Sequence, residues 1–331
     1  MGATPLLERN LIIVTGKGGV GKTVVSAALA SLAAARGRET LLIEMVPHPK
    51  APPLFGVEAP GYEPVEISER LHLCRLTPSE CLEEIAVMRL KLRALYRLVF
   101  KHRTVAAFMS FMPGMDELLV LGKVVYVANR GQHRKARHPF DLVVVDGPPT
   151  GEAIAMLRLP GTIRRVVKAG PLARDVGIME DLLTDPNRTA TAVITIPEEL
   201  PANEALELIG ELKSLDMHSG GTLFVNRMTP DFFDLRSRVA LQRFHRAARA
   251  TGTCRDPGAL AQLKVHRHLK NRRDRERTEL DRLRRGARIP LVELPEIPSG
   301  AFGPDELALM VRHLTHGLEV TLNRPRREGG V

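Results

Sequence analysis

The sequence is poor in the features that mark membrane-spanning and secreted proteins. It contains no tryptophan, and no run of about 18 uncharged apolar residues occurs in its 331 residues. A helix that crosses a bilayer needs such a run, so no transmembrane segment is expected. The N-terminus lacks a basic stretch followed by an apolar one, so no secretory signal is expected. A cytoplasmic location is therefore predicted.

Cysteine is also scarce, since only Cys74, Cys81 and Cys254 occur and no two of them form a CxxC pair. An odd number of widely spaced cysteines indicates neither a structural zinc site nor a disulfide framework. Reduced thiols in a cytosolic protein are the simplest interpretation.

Negative charge is in deficit, because 48 Lys and Arg face 38 Asp and Glu, which gives a net charge of +10. Much of the excess lies in residues 264–288, and such a run can bind nucleic acid or an anionic membrane surface. Acidic residues are interleaved with the basic ones, and Tyr and Phe are absent from the run. A solvated helix face crossed by ion pairs is favoured, and nucleic acid is not the expected partner.

Short apolar runs alternate with helical patterns along the chain. The predicted strands are 11–15, 40–45, 140–145, 191–196, 222–225 and 290–294. This order predicts an α/β fold with one doubly wound, mainly parallel sheet and helical insertions. The whole chain, 1–331, is interpreted as one domain with a helical subdomain from about 78–135 and 230–288, and with a flexible tail at 323–331.

A glycine-rich loop, GKGGVGKT at Gly16–Thr23, separates the first strand from an alanine-rich helix. The pattern G-x-x-x-x-G-K-[ST] in this context predicts a phosphate-binding loop whose backbone N–H groups surround the β-phosphate of a nucleotide. Lys22 would reach the β- and γ-phosphates, and the Thr23 hydroxyl would ligate Mg²⁺. The alternative is a structural glycine turn. The residues predicted to bind ATP here are Gly18, Gly19, Val20, Gly21, Lys22, Thr23 and Val24.

A second magnesium ligand is predicted at Asp146, which ends the apolar strand at 140–145. The alternative is an ordinary aspartate at a strand end. The segment GPPTGEAIAMLRLP at 147–160 follows, and its glycines and backbone amides suit a switch that senses the γ-phosphate.

These motifs together resemble the ArsA-like ATPases of the deviant Walker A class, which includes MinD and ParA. The loop GKGGVGKT is similar to the deviant phosphate loop of that class, and DGPPTGEAIAMLRLP resembles switch II of ArsA-type and guided-entry ATPases. FMPGMDELLVLGKV, TIPEELPANEALELIGEL, LFVNRM and VELPEIPSG follow in the order of the family. The resemblance covers nearly the whole chain and implies an ATPase that uses ATP and Mg²⁺.

The resemblance gives a role to the first lysine of the loop. In this class that lysine reaches across a dimer interface to the nucleotide of the other subunit, and the matching residue here is Lys17. It would supply positive charge where charge builds up in phosphoryl transfer. The resemblance also implies that Asn226, Pro295 and Glu296 contact the adenine base, although a turn at a strand end is the alternative for Asn226.

Switch I departs from the family pattern D-P-A-H, because the position of its aspartate is occupied by Val46. Valine can neither orient nor deprotonate water, so a substitute is expected to act. Glu44 lies two residues earlier on the same face of the strand and is the candidate catalytic residue, beside Lys17 and Asp146. The alternative is a heterodimer in which an ArsA-like sister chain hydrolyses ATP.

The cargo follows only from the resemblance. A zinc staple is not expected, because Cys254 is the only cysteine in the matching region, and Gly161–Ala190 leads almost directly to the next strand where the family has a long client-binding insertion. Residues 82–115 could form a Met-rich surface for a hydrophobic client, or they could simply pack in the helical subdomain. Three functions stay open: a dimeric ATP-driven switch for hydrophobic or membrane-linked cargo, a weakly hydrolysing subunit of a heterodimer, and a ParA-like positioning ATPase.

Overall fold

The computed structural model describes residues 5–46, 48–90, 114–130, 140–217, 221–230 and 257–322. The strands are β1 (Leu11–Gly16), β2 (Thr40–Glu44), β3 (Val65–Ser68), β4 (Leu71–Arg75), β5 (Leu142–Asp146), β6 (Thr189–Thr195), β7 (Thr222–Met228) and β8 (Leu291–Pro295). The helices are α1 (Lys22–Ala35), α2 (Pro52–Phe55), α3 (Pro78–Leu90), α4 (Met115–Arg130), α5 (Thr150–Val166), α6 (Pro171–Thr184), α7 (Glu199–Ser214), α8 (Pro257–Ala287) and α9 (Pro304–Leu322).

The strands form one sheet in the order β3-β4-β2-β5-β1-β6-β7-β8. Every neighbouring pair is parallel except β3 and β4 at one edge. The central strand β1 lies between β5 and β6, so its carboxyl end is flanked by the carboxyl ends of both neighbours. The predicted α/β class with a mainly parallel sheet is confirmed.

Helices cover both faces of the sheet, because alternate residues of a strand point to opposite sides. Leu11 and Ile13 of β1 belong to the apolar cluster beneath α3–α8, whereas Ile12 and Val14 belong to the cluster beneath α1, α2 and α9. Strands that are buried on both faces are apolar along their whole length, as LIIV in β1 is. This two-sided burial is the doubly wound arrangement that the alternating pattern predicts.

Three parts of the described chain differ from the prediction. The strand predicted at 222–225 continues through Asn226 to Met228, across a register irregularity where Arg227 has φ +58°. The antiparallel pair β3–β4 was not predicted, since β3 is largely exposed and its turn at Arg70 contains no glycine. Gly161–Ala190 does not lead almost directly to the next strand, because α6 lies within it and begins with Pro171.

The predicted helical insertions are described in part. α3, α4 and α8 lie in the expected regions, while residues 91–113 and 231–256 fall outside the described residues, as do Cys254 and the tail at 323–331. Most of the Met-rich surface suggested at 82–115 is therefore outside them too.

Helix α8 carries the predicted ion pairs and is attached to the sheet by a buried carboxylate. Glu276 is 4% exposed and accepts hydrogen bonds from the Thr229 backbone N–H (2.9 Å) and the Thr229 hydroxyl (2.6 Å). Arg272 Nε donates to Glu276 Oε1 at 2.9 Å from one helical turn away. A buried charge with three donors is stable only while they remain in place.

Replacing Glu276 should therefore loosen α8 from the end of β7. Glu276→Ala is expected to lower the free energy of unfolding by about 2–4 kcal/mol, because it leaves two buried donors of Thr229 unpaired. The exposed Arg277→Ala on the same helix should cost less than about 0.5 kcal/mol. Urea unfolding of the two variants measures the difference, and equal losses would contradict this role of Glu276.

Candidate functional site

The phosphate loop lies at the carboxyl end of β1 and is shaped by two close approaches of the backbone. A side-chain carbon at Gly16 would lie 2.1 Å from the carbonyl oxygen of Ile194 on β6. Gly21 has φ +98°, and a side-chain carbon there would lie 2.4 Å from Asn226 Nδ2. Both positions therefore require glycine, which leaves the loop backbone free to turn towards the start of α1.

Lys22 and Thr23 begin α1 and point to different partners. Lys22 Nζ donates to the carbonyl oxygens of Gly16 (3.2 Å) and Lys17 (3.3 Å), so the ammonium lies over the loop. The Thr23 hydroxyl donates to Asp146 Oδ2 at 2.6 Å. The Ser26 hydroxyl lies 3.1 Å from Asp146 Oδ1. Thus α1 and the end of β5 meet around one carboxylate.

The environment of this carboxylate suits a hard cation. Burial raises the pKa of Asp146, although the hydrogen bonds from Thr23 and Ser26 and the charge of Lys22 oppose the shift. Burial lowers the pKa of Lys22, against the effect of Asp146. A hydroxyl and a carboxylate oxygen 2.6 Å apart are the ligands that Mg²⁺ takes beside nucleotide phosphates. The residues present therefore fit both an anionic phosphate and a magnesium ion.

The segment predicted to be switch II starts beside this carboxylate and is hydrogen-bonded to β1. The Gly147 N–H donates to the carbonyl oxygen of Val14 at 2.9 Å, and the Thr15 hydroxyl donates to that of Pro148 at 3.1 Å. Helix α5 begins at Thr150, whose hydroxyl is buried without a hydrogen-bond partner in the described part of the chain. These contacts hold the segment between β5 and α5 against the carboxyl end of β1.

The Glu44 carboxylate is buried, and one of its oxygens is hydrogen-bonded to the backbone. It is 1% exposed, and its Oε1 accepts hydrogen bonds from the backbone N–H groups of Lys50 (2.6 Å) and Ala51 (3.0 Å). Its Oε2 is buried and has no hydrogen-bond partner among the described residues. Burial raises the pKa of Glu44, and the neighbouring Asp146 adds to the shift. One oxygen of Glu44 therefore stabilises the turn at Lys50 and Ala51, and only the other oxygen has no hydrogen-bond partner in the described part of the chain.

Lys17 is held within its own chain. Its ammonium forms an ion pair with Glu204 on α7, and both side chains are more than one third exposed. An exposed pair of this kind contributes little stability, typically less than about 1 kcal/mol. Lys17 can therefore leave Glu204 for a better anionic partner at small cost.

The residues predicted to contact adenine lie near one another at the ends of β7 and β8. Asn226 is buried, and its Nδ2 donates to the carbonyl oxygen of Val20 in the phosphate loop at 2.9 Å. Pro295 ends β8, and the Glu296 N–H donates to the carbonyl oxygen of Met228 at 2.8 Å. Asn226 thus couples the end of β7 to the loop.

Comparison with known proteins bears on this arrangement. Residues 9–179, just over half of the chain and including Gly16–Thr23, Glu44 and Asp146, match the profile of the family described as Anion-transporting ATPase. The chain belongs to this ATPase family.

Two relatives show how far the likeness extends. The ATPase BagA of Mycobacterium tuberculosis is 31% identical over 226 residues, which cover 66% of this chain and 65% of the relative. The ATPase ASNA1 homolog of Entamoeba dispar is 27% identical over 258 residues, which cover 66% of this chain and 76% of the relative. The match to the mycobacterial protein spans just under two thirds of its length.

Sequence patterns of the family predict most of the candidate site residues, but they do not predict two side chains that contact them. Ser26 lies one helical turn after Thr23 on the same face of α1, and that spacing is the signal that could have identified it. Glu204 carries no such signal, because its contact with Lys17 joins residues 187 positions apart. No cluster of three or more His, Cys, Asp or Glu with metal-binding geometry occurs in the described ranges. No helix in these ranges is long and apolar enough to span a bilayer.

The backbone at Gly21 gives a test of the loop geometry. Gly21→Ala should lower the free energy of unfolding by about 1–3 kcal/mol. Alanine would have to adopt the positive φ of Gly21, and its Cβ would displace the Asn226 side chain. Gly18→Ala is the matched control, since nothing lies within 4 Å of a carbon added there. The control should change the unfolding free energy by less than about 0.5 kcal/mol. Calorimetry would contradict this geometry if both variants melted like the parent.

Proposed function

We propose that this chain is an ATP-driven dimeric switch that binds ATP with Mg²⁺ and couples the nucleotide to a hydrophobic or membrane-linked cargo. The observation that carries the nucleotide site is the 2.6 Å hydrogen bond between Thr23 and Asp146 beside the Lys22 ammonium. Lys22 would bind the phosphates, and Thr23 and Asp146 would hold Mg²⁺. The metal ion supplies neutralisation of the charge on the phosphate oxygens.

Dimerisation is proposed from the position of Lys17. The residue is partly exposed, and its partner Glu204 offers a single carboxylate. Triphosphate in a facing subunit carries more negative charge and is buried by assembly, so it is the stronger partner. The partner subunit can be a second copy or an ArsA-like sister chain. The family resemblance supports this role in trans.

A second candidate function is a weakly hydrolysing subunit of a heterodimer, and the environment of Glu44 favours it. Val46 occupies the position of the family aspartate, and one Glu44 oxygen already accepts two backbone hydrogen bonds. Full occupation of that oxygen and burial of the side chain restrict its reach towards an attacking water. In this case the chain binds ATP and completes the site of a sister subunit through Lys17.

Nucleotide binding is tested first by thermal unfolding of the whole chain. MgATP at 100 times its Kd should stabilise the chain by about 2.7 kcal/mol. Lys22→Ala should abolish that shift, because it removes the phosphate-binding ammonium. Asp146→Asn should reduce the shift given by MgATP more than that given by ATP with EDTA. A parent protein that ATP does not stabilise would overturn the proposal.

Steady-state ATPase activity separates the two candidate functions. A catalytic homodimer predicts that specific activity rises with protein concentration and falls at least about 100-fold in Lys17→Ala. Glu44→Gln is the second variant, since its amide oxygen can still accept from Lys50 and Ala51. If Glu44 acts as the base, this variant should lose about 100-fold or more in kcat. ATP binding without turnover in the parent would favour the heterodimer instead.

The ion pair between Lys17 and Glu204 makes a separate prediction about assembly. Glu204→Gln removes the competing carboxylate, so ATP-dependent dimers should form at about two- to fivefold lower protein concentration. Glu207→Gln on the same helix is the matched control, because Glu207 is not bonded to Lys17. Sedimentation equilibrium with and without ATP measures the change. A higher concentration requirement for Glu204→Gln would mean that this pair assists assembly.

A further inference from the structure

Helices α5 and α6 form a hairpin whose tip, residues 161–178, exposes apolar side chains to solvent. Val166 is 79% exposed, Leu172 46% and Ile178 41%. These are three of the seven large hydrophobic side chains that are strongly exposed in the described ranges. Single exposed apolar side chains are common, but three within 13 positions are a local concentration of exposed apolar surface.

The same tip is strongly basic. It contains Arg164, Arg165, Lys168 and Arg174 and a single acidic residue, Asp175. Arg164 is paired with Glu180 of α6 at 2.6 Å. Arg165, Lys168 and Arg174 are exposed and form no ion pair within the described part of the chain. Three cations are therefore available to an external anion.

The exposed apolar and basic side chains lie at the end of α5, in the turn and in the first half of α6. α5 ends at Val166, and α6 begins at Pro171 after a turn at Gly170 with φ +93°. A groove of about 570 Å³ lies between the helix ends and is lined by residues that include Lys168, Arg174 and Ile178. The lining also contains Arg164 and Asp181, which pair with each other, so the groove combines cations with one carboxylate and with apolar side chains.

We propose that this tip docks on an anionic membrane surface. Cations that alternate with isolated, exposed aliphatic side chains suit the boundary between lipid headgroups and acyl chains, where both kinds of group are stabilised. A hydrophobic protein segment would require a continuous apolar groove, but charged residues separate the apolar ones here. Nucleic acid would leave the aliphatic side chains in water and would find no aromatic ring in residues 161–178 on which to stack a base.

This function goes beyond the nucleotide switch and does not depend on it. The tip lies at the opposite end of α5 from Thr150, and a 17-residue helix is about 25 Å long. No residue of the phosphate loop takes part in the tip. Membrane binding can therefore be measured without nucleotide, and a failure of either proposal leaves the other intact.

The test is flotation of the full chain with vesicles at about 0.15 M salt, where charges beyond about 8 Å are screened. The chain should float with vesicles of phosphatidylcholine and phosphatidylglycerol, and not with phosphatidylcholine alone. The triple variant Arg165→Glu, Lys168→Glu and Arg174→Glu should bind at least about tenfold more weakly. Val166→Ser with Leu172→Ser should also weaken binding severalfold, although it leaves the charge unchanged.

A matched control is needed because the whole chain carries a charge of +10. Lys270→Glu, Arg275→Glu and Arg277→Glu make the same change in charge on the exposed side of α8. This variant should float like the parent, and all variants should melt like it. The proposal is overturned if the α8 variant loses binding as strongly as the tip variant, or if the tip variants float like the parent. It is equally overturned if neutral vesicles bind as well, or if only DNA binds.

Discussion

The site depends on one partly buried carboxylate, Asp146, at the end of a central strand. Asp146 contacts the Thr23 hydroxyl at 2.6 Å and the Ser26 hydroxyl at 3.1 Å, so it joins β5 to the first two turns of α1. These hydroxyls satisfy a charge that burial would otherwise disfavour. The same contact fixes α1 relative to the phosphate loop, and switch II begins at the next residue.

Several charged groups of the site are occupied by partners within the chain. Lys22 donates hydrogen bonds to carbonyl oxygens of the loop, and Lys17 forms an ion pair with Glu204. One oxygen of Glu44 accepts hydrogen bonds from the backbone of the turn that follows β2. Such contacts compensate buried or crowded charges within the chain. Lys17 is exposed enough to exchange its partner, whereas Glu44 is buried and would have to give up two backbone hydrogen bonds. Lys17 is therefore the more easily released of the two side chains.

Much of the fold could be predicted from local patterns, because two-sided burial gives each central strand an unbroken apolar run. The glycines of the predicted phosphate loop meet two steric constraints in the structure, at Gly16 and Gly21. The pair β3–β4 was missed because an exposed edge strand has no such apolar run. Helix α6 differs from this pair, because the proline at its first position, Pro171, is a local helix signal.

The candidate site shows the same division. The pattern G-x-x-x-x-G-K-[ST] and the end of an apolar strand predict Thr23 and Asp146, and the structure places their side chains in contact. The link from Lys17 to Glu204 and the contact of Asn226 with Val20 join residues about 200 positions apart, so no local pattern encodes them. The sequence by itself determined the glycine-rich loop at Gly16–Thr23, the aspartate that ends β5 and the valine at position 46. Only the tertiary structure decided which polar atoms are already bonded and which cations stay exposed, because both depend on packing between distant segments.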